Sequence, residues 1–144
     1  MYLIDTNVVS EARKKAQANP GVIDFFNHVV AADAPVYLSA ISVGELRRGV
    51  EALRHRGDPA QAKLLETWLT TILSQFEANI LDFDADAAQV WVQLRVPRPE
   101  HVLDKQIAAI ALINDLTVVT RNTIDFEGTG VRLLNPFVPI PAIG

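Results

Sequence analysis

The sequence predicts an α/β domain with a mostly parallel sheet, on three observations. Short apolar segments of strand length alternate with longer segments that repeat at the helical period, the pattern of strands joined by crossover helices. The chain has 144 residues, enough for one compact domain that buries roughly two-thirds of the surface its unfolded form exposes. Finally, an acid stands directly behind the first apolar segment, and ligands on open α/β sheets bind at the carboxyl ends of strands.

The first strand is Tyr2 to Ile4, closed by Asp5 and followed by a short helix from Thr6 to about Glu11. Asn19-Pro20 opens the next helix, because a polar cap followed by proline suits the first helical position. Its Ile23, Phe26 and Val30 share a face. Val36 to Leu38 reads as the second strand. After it Val43, Leu46, Val50 and Leu53 recur at helical spacing, with Gly57 as the stop. Asp58-Pro59 starts a long helix burying Leu65, Trp68, Leu69, Ile72 and Phe76.

Ile80 and Leu81 form the third strand. Asp84 or Asp86 caps a helix carrying Ala88, Trp91 and Leu94, which Pro97 and Pro99 end. A further helix runs to about Leu112 with Leu103, Ile107, Ile110 and Ala111 inward. Thr117 to Val119 and Val131 to Leu134 complete the strands. A single domain over residues 1–135 is expected, with an extended or frayed tail from Pro136 to Gly144, which holds three prolines.

Composition narrows the chemistry. The chain has no cysteine, which excludes disulfides and thiolate metal sites and leaves oxygen or imidazole as metal ligands. No apolar run approaches the ~18 residues of a membrane span, so a soluble cytoplasmic protein is expected. The net charge of −4 argues against a generic nucleic-acid coat. Yet if four of the 17 acids belong to a site, the other 13 balance the 13 lysines and arginines.

The four acids singled out are Asp5, Glu45, Asp104 and Asp125. Each has an ordinary explanation. Asp5 could cap the short helix, Ser42-Val43-Gly44-Glu45 fits a capping box, Asp104 could complement a helix dipole, and Asp125 could be a turn residue. Asp5 resists its explanation most, since a charge ending a buried apolar strand needs a partner and no basic residue is near it in sequence.

Taken together, Asp5-Thr6-Asn7, Ser42-Val43-Gly44-Glu45-Leu46-Arg47-Arg48-Gly49, Asp104-Lys105-Gln106-Ile107-Ala108-Ala109 and Thr120-Arg121-Asn122-Thr123-Ile124-Asp125-Phe126 resemble, in order and at family spacing, the four signature segments of PIN-domain ribonucleases of the VapC and FitB-like toxin type. The resemblance implies a five-stranded parallel sheet flanked by helices in three α/β/α layers, an acidic Mg²⁺ or Mn²⁺ site, and endonucleolytic cleavage of RNA leaving a 5′-phosphate and a 3′-hydroxyl. It makes Asp5, Glu45 and Asp104 the core acids. For the fourth position it offers Asn122 or Asp125; Asp125 is taken, with Asn122 as a hydrogen-bonding neighbour. Thr6 and Thr120 support the site from behind.

Physical chemistry agrees with such a site. Carboxylates a few ångström apart repel by roughly 4 kcal/mol per close pair at an effective dielectric of 20, a conflict that a divalent cation removes. All-oxygen ligation suits Mg²⁺ and Mn²⁺. Lys105 and Arg121 are the candidates for RNA phosphate contact, while Arg54-His55-Arg56 reads as a solvated surface.

By resemblance the partners are a cognate antitoxin, an RNA substrate, with transfer RNA first, and a second copy of the chain in a homodimer. The helix faces around Phe25, Phe26 and Val29 and around Leu65, Trp68 and Ile72 are rich enough in bulky apolar residues to serve an interface. A non-catalytic RNA- or partner-binding module is the alternative; retention of all four acids speaks against it. Asp82-Phe83-Asp84-Ala85-Asp86 opens like a calcium loop but has Ala87 where glycine is needed. His28, His55 and His101 read as isolated surface or half-buried residues.

Overall fold

A computed structural model describes residues 1–138. Five strands, β1 (Tyr2–Ile4), β2 (Val36–Ser39), β3 (Ile80–Leu81), β4 (Thr117–Val119) and β5 (Leu133–Leu134), form one sheet in the order β3-β2-β1-β4-β5. Every pairing is parallel. Six helices connect or flank them: α1 (Thr6–Ala12), α2 (Pro20–Ala32), α3 (Ala40–His55), α4 (Pro59–Gln75), α5 (Ala85–Leu94) and α6 (Val102–Ile113). None among the described residues is long and apolar enough to cross a membrane.

The strand pleat divides the core in two. Ile4, Leu38 and Val119 point to one face, where Val8, Val22, Leu46, Val50 and Leu69 from α1 to α4 cover them. Leu3 and Val118 point to the other, under Ala87 of α5 and Ile107, Ala108, Ile110 and Ala111 of α6. This is the expected three-layer α/β/α arrangement. Its strands lack polar alternation because both faces are buried.

The predicted caps form. Asn19 Oδ1 accepts from the Gly21 N–H at 2.9 Å, Asp58 Oδ1 from Gln61 at 3.1 Å, and Asp84 Oδ1 from Ala87 at 2.9 Å. Gly57, at φ +86°, ends α3 in the left-handed conformation that glycine adopts without steric cost. Gly21 lies so close to the Pro136 carbonyl that a Cβ there would collide with it.

Several expectations are corrected. In α2 the buried face is Val22, Phe25 and Val29, one residue out of step with Ile23, Phe26 and Val30, and Val30 is 79% exposed. Both stripes have helical spacing; the sheet selects the one whose Phe25 meets Tyr2 edge-on, with ring centroids 5.2 Å apart. Phe26 instead joins Trp68, Ile72 and Phe76 along an apolar groove of about 590 Å³ between α1, α2 and α4, with Arg13 and Lys15 at its edge. Leu103 is 42% exposed rather than inward. α6 runs antiparallel to the strand after it, so its first turn overhangs the carboxyl edge of the sheet. The last strand is Leu133–Leu134 only, because the Val131 N–H turns to the Thr129 hydroxyl and Gly130 takes φ +80°. Of the expected tail, Pro136 to Val138 are turned, with Phe137 packed against the core; residues 139–144 lie outside the described residues.

The α2 register yields a direct test. Val22, fully buried, and Val30 differ only in face. Val22→Asp should cost about 3 kcal/mol or more and Val30→Asp less than about 0.5 kcal/mol in urea unfolding; equal effects would refute the observed face.

Candidate functional site

The strand order reverses at β1. The crossovers to β2 and β3 lie on one side of it and β4 and β5 on the other, so the loops leaving β1 and β4 diverge and open a crevice at their carboxyl ends. Ile4 pairs with Val119, which places Asp5 and Thr120 side by side at that edge.

Asp5 is only 3% exposed. Its Oδ1 accepts from the Thr6 N–H at 2.8 Å and so caps α1. Its Oδ2 accepts from the Thr120 hydroxyl at 2.7 Å and from the Asn7 side-chain amide at 3.2 Å. The capping role is therefore real, and it occupies one oxygen. A carboxylate offers about four lone-pair sites, so one on Oδ1 stays free for another partner. Burial raises the Asp5 pKa, opposed by the bonds from Thr120, Thr6 and Asn7 and assisted by the charge of Asp125.

Glu45 is not the end of a capping box. Ser39 caps α3, accepting from the Ser42 N–H at 3.0 Å, so the helix begins at Ala40 and Glu45 falls in its second turn. There its Oε1 accepts from the Thr6 hydroxyl at 3.2 Å. Burial and then the Asp5 charge raise its pKa, with Arg48 easing the shift.

Asp104 sits in the first turn of α6 and Asp125 in the 3-10 turn Thr123–Phe126. Together with His101, each supplies an atom within 4.8 Å of the others. Asp5 and Glu45 stand outside that group, yet their charges reach it. Burial, then Asp5, Asp125 and Glu45, push Asp104 from the ordinary 3.8 up to about 6, while His101 pulls it down. Asp104 thus lies within electrostatic reach of the other three acids expected from sequence.

The supporting residues divide. Thr6 and Thr120 hold Glu45 and Asp5 as described. Asn122 contributes its backbone, whose N–H donates to the Thr120 hydroxyl at 3.0 Å, and its side chain is exposed. Lys105 is corrected: it is 7% exposed and its ammonium donates to the Arg98 carbonyl, 2.6 Å away, so it braces the loop before α6 rather than facing a phosphate. Arg121 is exposed, its guanidinium 4.9 Å from the Phe137 ring centre. Arg47 is tied to Glu66 at 2.7 Å.

Two residues escaped the sequence reading. The Asn7 amide also donates to Thr120 at 3.2 Å, and its oxygen accepts from the Arg121 N–H at 3.0 Å, stapling the loop after β1 to the loop after β4. Its place two residues after Asp5 was the available signal. His101 lay only three residues before Asp104, directly ahead of the helix that carries it. The acids line neither the α1/α2/α4 groove nor a cavity of about 630 Å³ bordered by Tyr2, Phe25 and Leu134.

Fold and site together define a class of protein: a three-layer α/β domain with acids gathered where a parallel sheet reverses its strand order. The chain belongs to the PIN-domain family, whose profile, described as PIN domain, matches residues 2–130. It is 39% identical over 142 residues to Toxin FitB of Neisseria gonorrhoeae (strain ATCC 700825 / FA 1090), covering 95% of this chain and 99% of that one. It is 31% identical over 147 residues to VapC ribonuclease Y4jK of Sinorhizobium fredii (strain NBRC 101917 / NGR234), covering 96% and 99%. The crystal structure of FitAcB from Neisseria gonorrhoeae superposes with a TM-score of 0.80 at 37% identity, covering 95% of this chain and 99% of that one.

The Asp104 shift sets a pH dependence. Its folded pKa of about 6 lies above the ordinary 3.8, so between these values the native state binds the extra proton and stability falls as pH rises. In metal-free buffer, Asp104→Asn should therefore gain on the wild type between pH 5 and pH 8. Discounted for solvent at a half-exposed group, the gain is about 1 kcal/mol, or ~3 °C in thermal unfolding. A pH-independent gap would contradict the repulsion.

Proposed function

We propose that this protein is a Mg²⁺- or Mn²⁺-dependent endoribonuclease and the toxin of a toxin–antitoxin pair, built as a single domain over residues 1–135 and working in the cytoplasm. The observation that carries the reading is the convergence of Asp5, Glu45, Asp104 and Asp125 from four distant segments, with Asp104 raised by the other three. Membership in the PIN family and similarity to a toxin and a VapC ribonuclease support it. The similarity to the FitAcB structure supports a cognate antitoxin partner, and a homodimer is the expected assembly.

The donor set fits a hard divalent cation. It is rich in carboxylate oxygen, has no thiolate, and holds more negative charge than its own cations balance, since Lys105 turns away. Asp5, Glu45, Asp104 and Asp125 would hold the ion. When bound, it supplies acidity to a coordinated water and positive charge for the phosphate oxygens.

The chain's own contribution is placement. Thr120, Asn7 and the Thr6 N–H fix the Asp5 carboxylate and keep its ionised form accessible despite burial. The Thr6 hydroxyl aims Glu45 toward the same crevice. Without a cation, burial and the neighbouring acids push Asp104 up to about 6, a repulsion that an ion held by the same carboxylates would relieve. Arg121, exposed beside the loop after β4, is the candidate for an RNA phosphate contact.

The test is cleavage of total cellular RNA by purified protein freed of any partner, in Mg²⁺ or Mn²⁺ and in EDTA. Discrete metal-dependent fragments are expected, transfer RNA first among them, and Asp5→Asn should reduce cleavage by about a hundredfold or more, as for loss of a metal-site group. A folded, metal-binding protein that leaves RNA intact would favour a binding module.

A further inference from the structure

The residue that the expected four acids do not account for is His101. Its backbone is left-handed, at φ 58° and ψ 50°, although it is not a glycine, and its carbonyl accepts the Lys105 N–H at 2.9 Å to begin α6. The imidazole makes no cap bond to that helix. Instead Nδ1 stands 3.8 Å from Asp125 Oδ1, too far for a hydrogen bond.

That spacing has another meaning. Two ligands of one ion at bond lengths of about 2.1 Å are roughly 3 Å apart when adjacent and ~4.2 Å apart when opposite. One atom each from His101, Asp104 and Asp125 lies within 4.8 Å of the others, close to this range. Three basic side chains of neighbouring segments are engaged elsewhere. Lys105 is committed to the Arg98 carbonyl, Arg47 to Glu66, and Arg48 acts on Glu45.

We infer that His101 is a metal ligand of this site, giving the crevice a nitrogen donor beside Asp104 and Asp125 and a preference for Mn²⁺ over Mg²⁺. The inference rests on the metal-dependent reading above. Imidazole suits transition metals, whereas Mg²⁺ holds to oxygen and keeps its waters. A carboxylate-only site lacks that discrimination. His28 and His55 lie on α2 and α3, outside this group of three, and serve as internal controls.

Pulsed electron paramagnetic resonance on the Mn²⁺-loaded full chain reads the contact directly, because a ligating imidazole couples its ¹⁴N nucleus to the manganese spin. The wild type and the His28→Asn and His55→Asn variants should show that coupling, and His101→Asn should lose it. Calorimetric titration should show Mn²⁺ affinity falling by roughly tenfold or more in His101→Asn and Mg²⁺ affinity changing by less than about threefold. Unchanged thermal unfolding of the metal-free variant establishes that the fold is intact. If Mn²⁺ binds the wild type and is weakened by Asp104→Asn, but no ¹⁴N coupling appears, His101 is not a ligand and the acidic metal site survives without it. If the wild type binds no Mn²⁺, the metal reading itself fails, and this inference with it.

Discussion

The pairing of β1 with β4 is the constraint on which the site depends. Both strands are central and fully buried along Leu3, Ile4, Val118 and Val119, so neither can slip without turning an apolar side chain into the wrong layer. The register Ile4 to Val119 then leaves Asp5 and Thr120 no choice but adjacency. Their 2.7 Å hydrogen bond and the Asn7 staple convert that adjacency into a fixed carboxylate orientation. Thr6 extends the same frame to Glu45 on α3. A site anchored on strand ends is held more closely than one suspended in loops.

The price of this frame is electrostatic. Asp5, Glu45 and Asp104 are pushed up by burial and by neighbouring acids, Asp125 among them. Arg47 and Arg54 both reach Glu66, at 2.7 and 2.8 Å, and Arg54 also reaches Glu51 at 2.6 Å, which clamps α3 to α4. Partly exposed pairs of this kind contribute little singly, and a shared acid makes them a network. Arg47 and Arg54 are thereby held at the α3–α4 contact, while Arg48 acts on Glu45. The two apolar layers stabilise the fold independently of these charges, so repulsion at one edge is tolerated.

Much of the architecture could be read in the chain. Proline after a polar cap marked α2 and α4, an acid behind an apolar triplet marked the end of β1, and the four acids were recognisable from their surrounding segments. These are signals a few residues long, set by local φ preferences, capping bonds and strand period. The reading erred where two local patterns were equally good. Val22, Phe25, Val29 and Ile23, Phe26, Val30 have the same periodicity in α2, and Ser39 and Ser42 are both competent caps for α3.

By itself, then, the sequence determined the kinds of element, their order, and which acids were available at strand and helix ends, because hydrophobic period and capping chemistry act over short distances. Only the tertiary structure decided which stripe of α2 meets the sheet, that Lys105 braces a carbonyl, and that Asn7 and His101 stand among the acids. Those outcomes depend on the strand order β3-β2-β1-β4-β5 and on helices crossing between distant strands. Contacts between residues about a hundred positions apart leave no local trace in a chain.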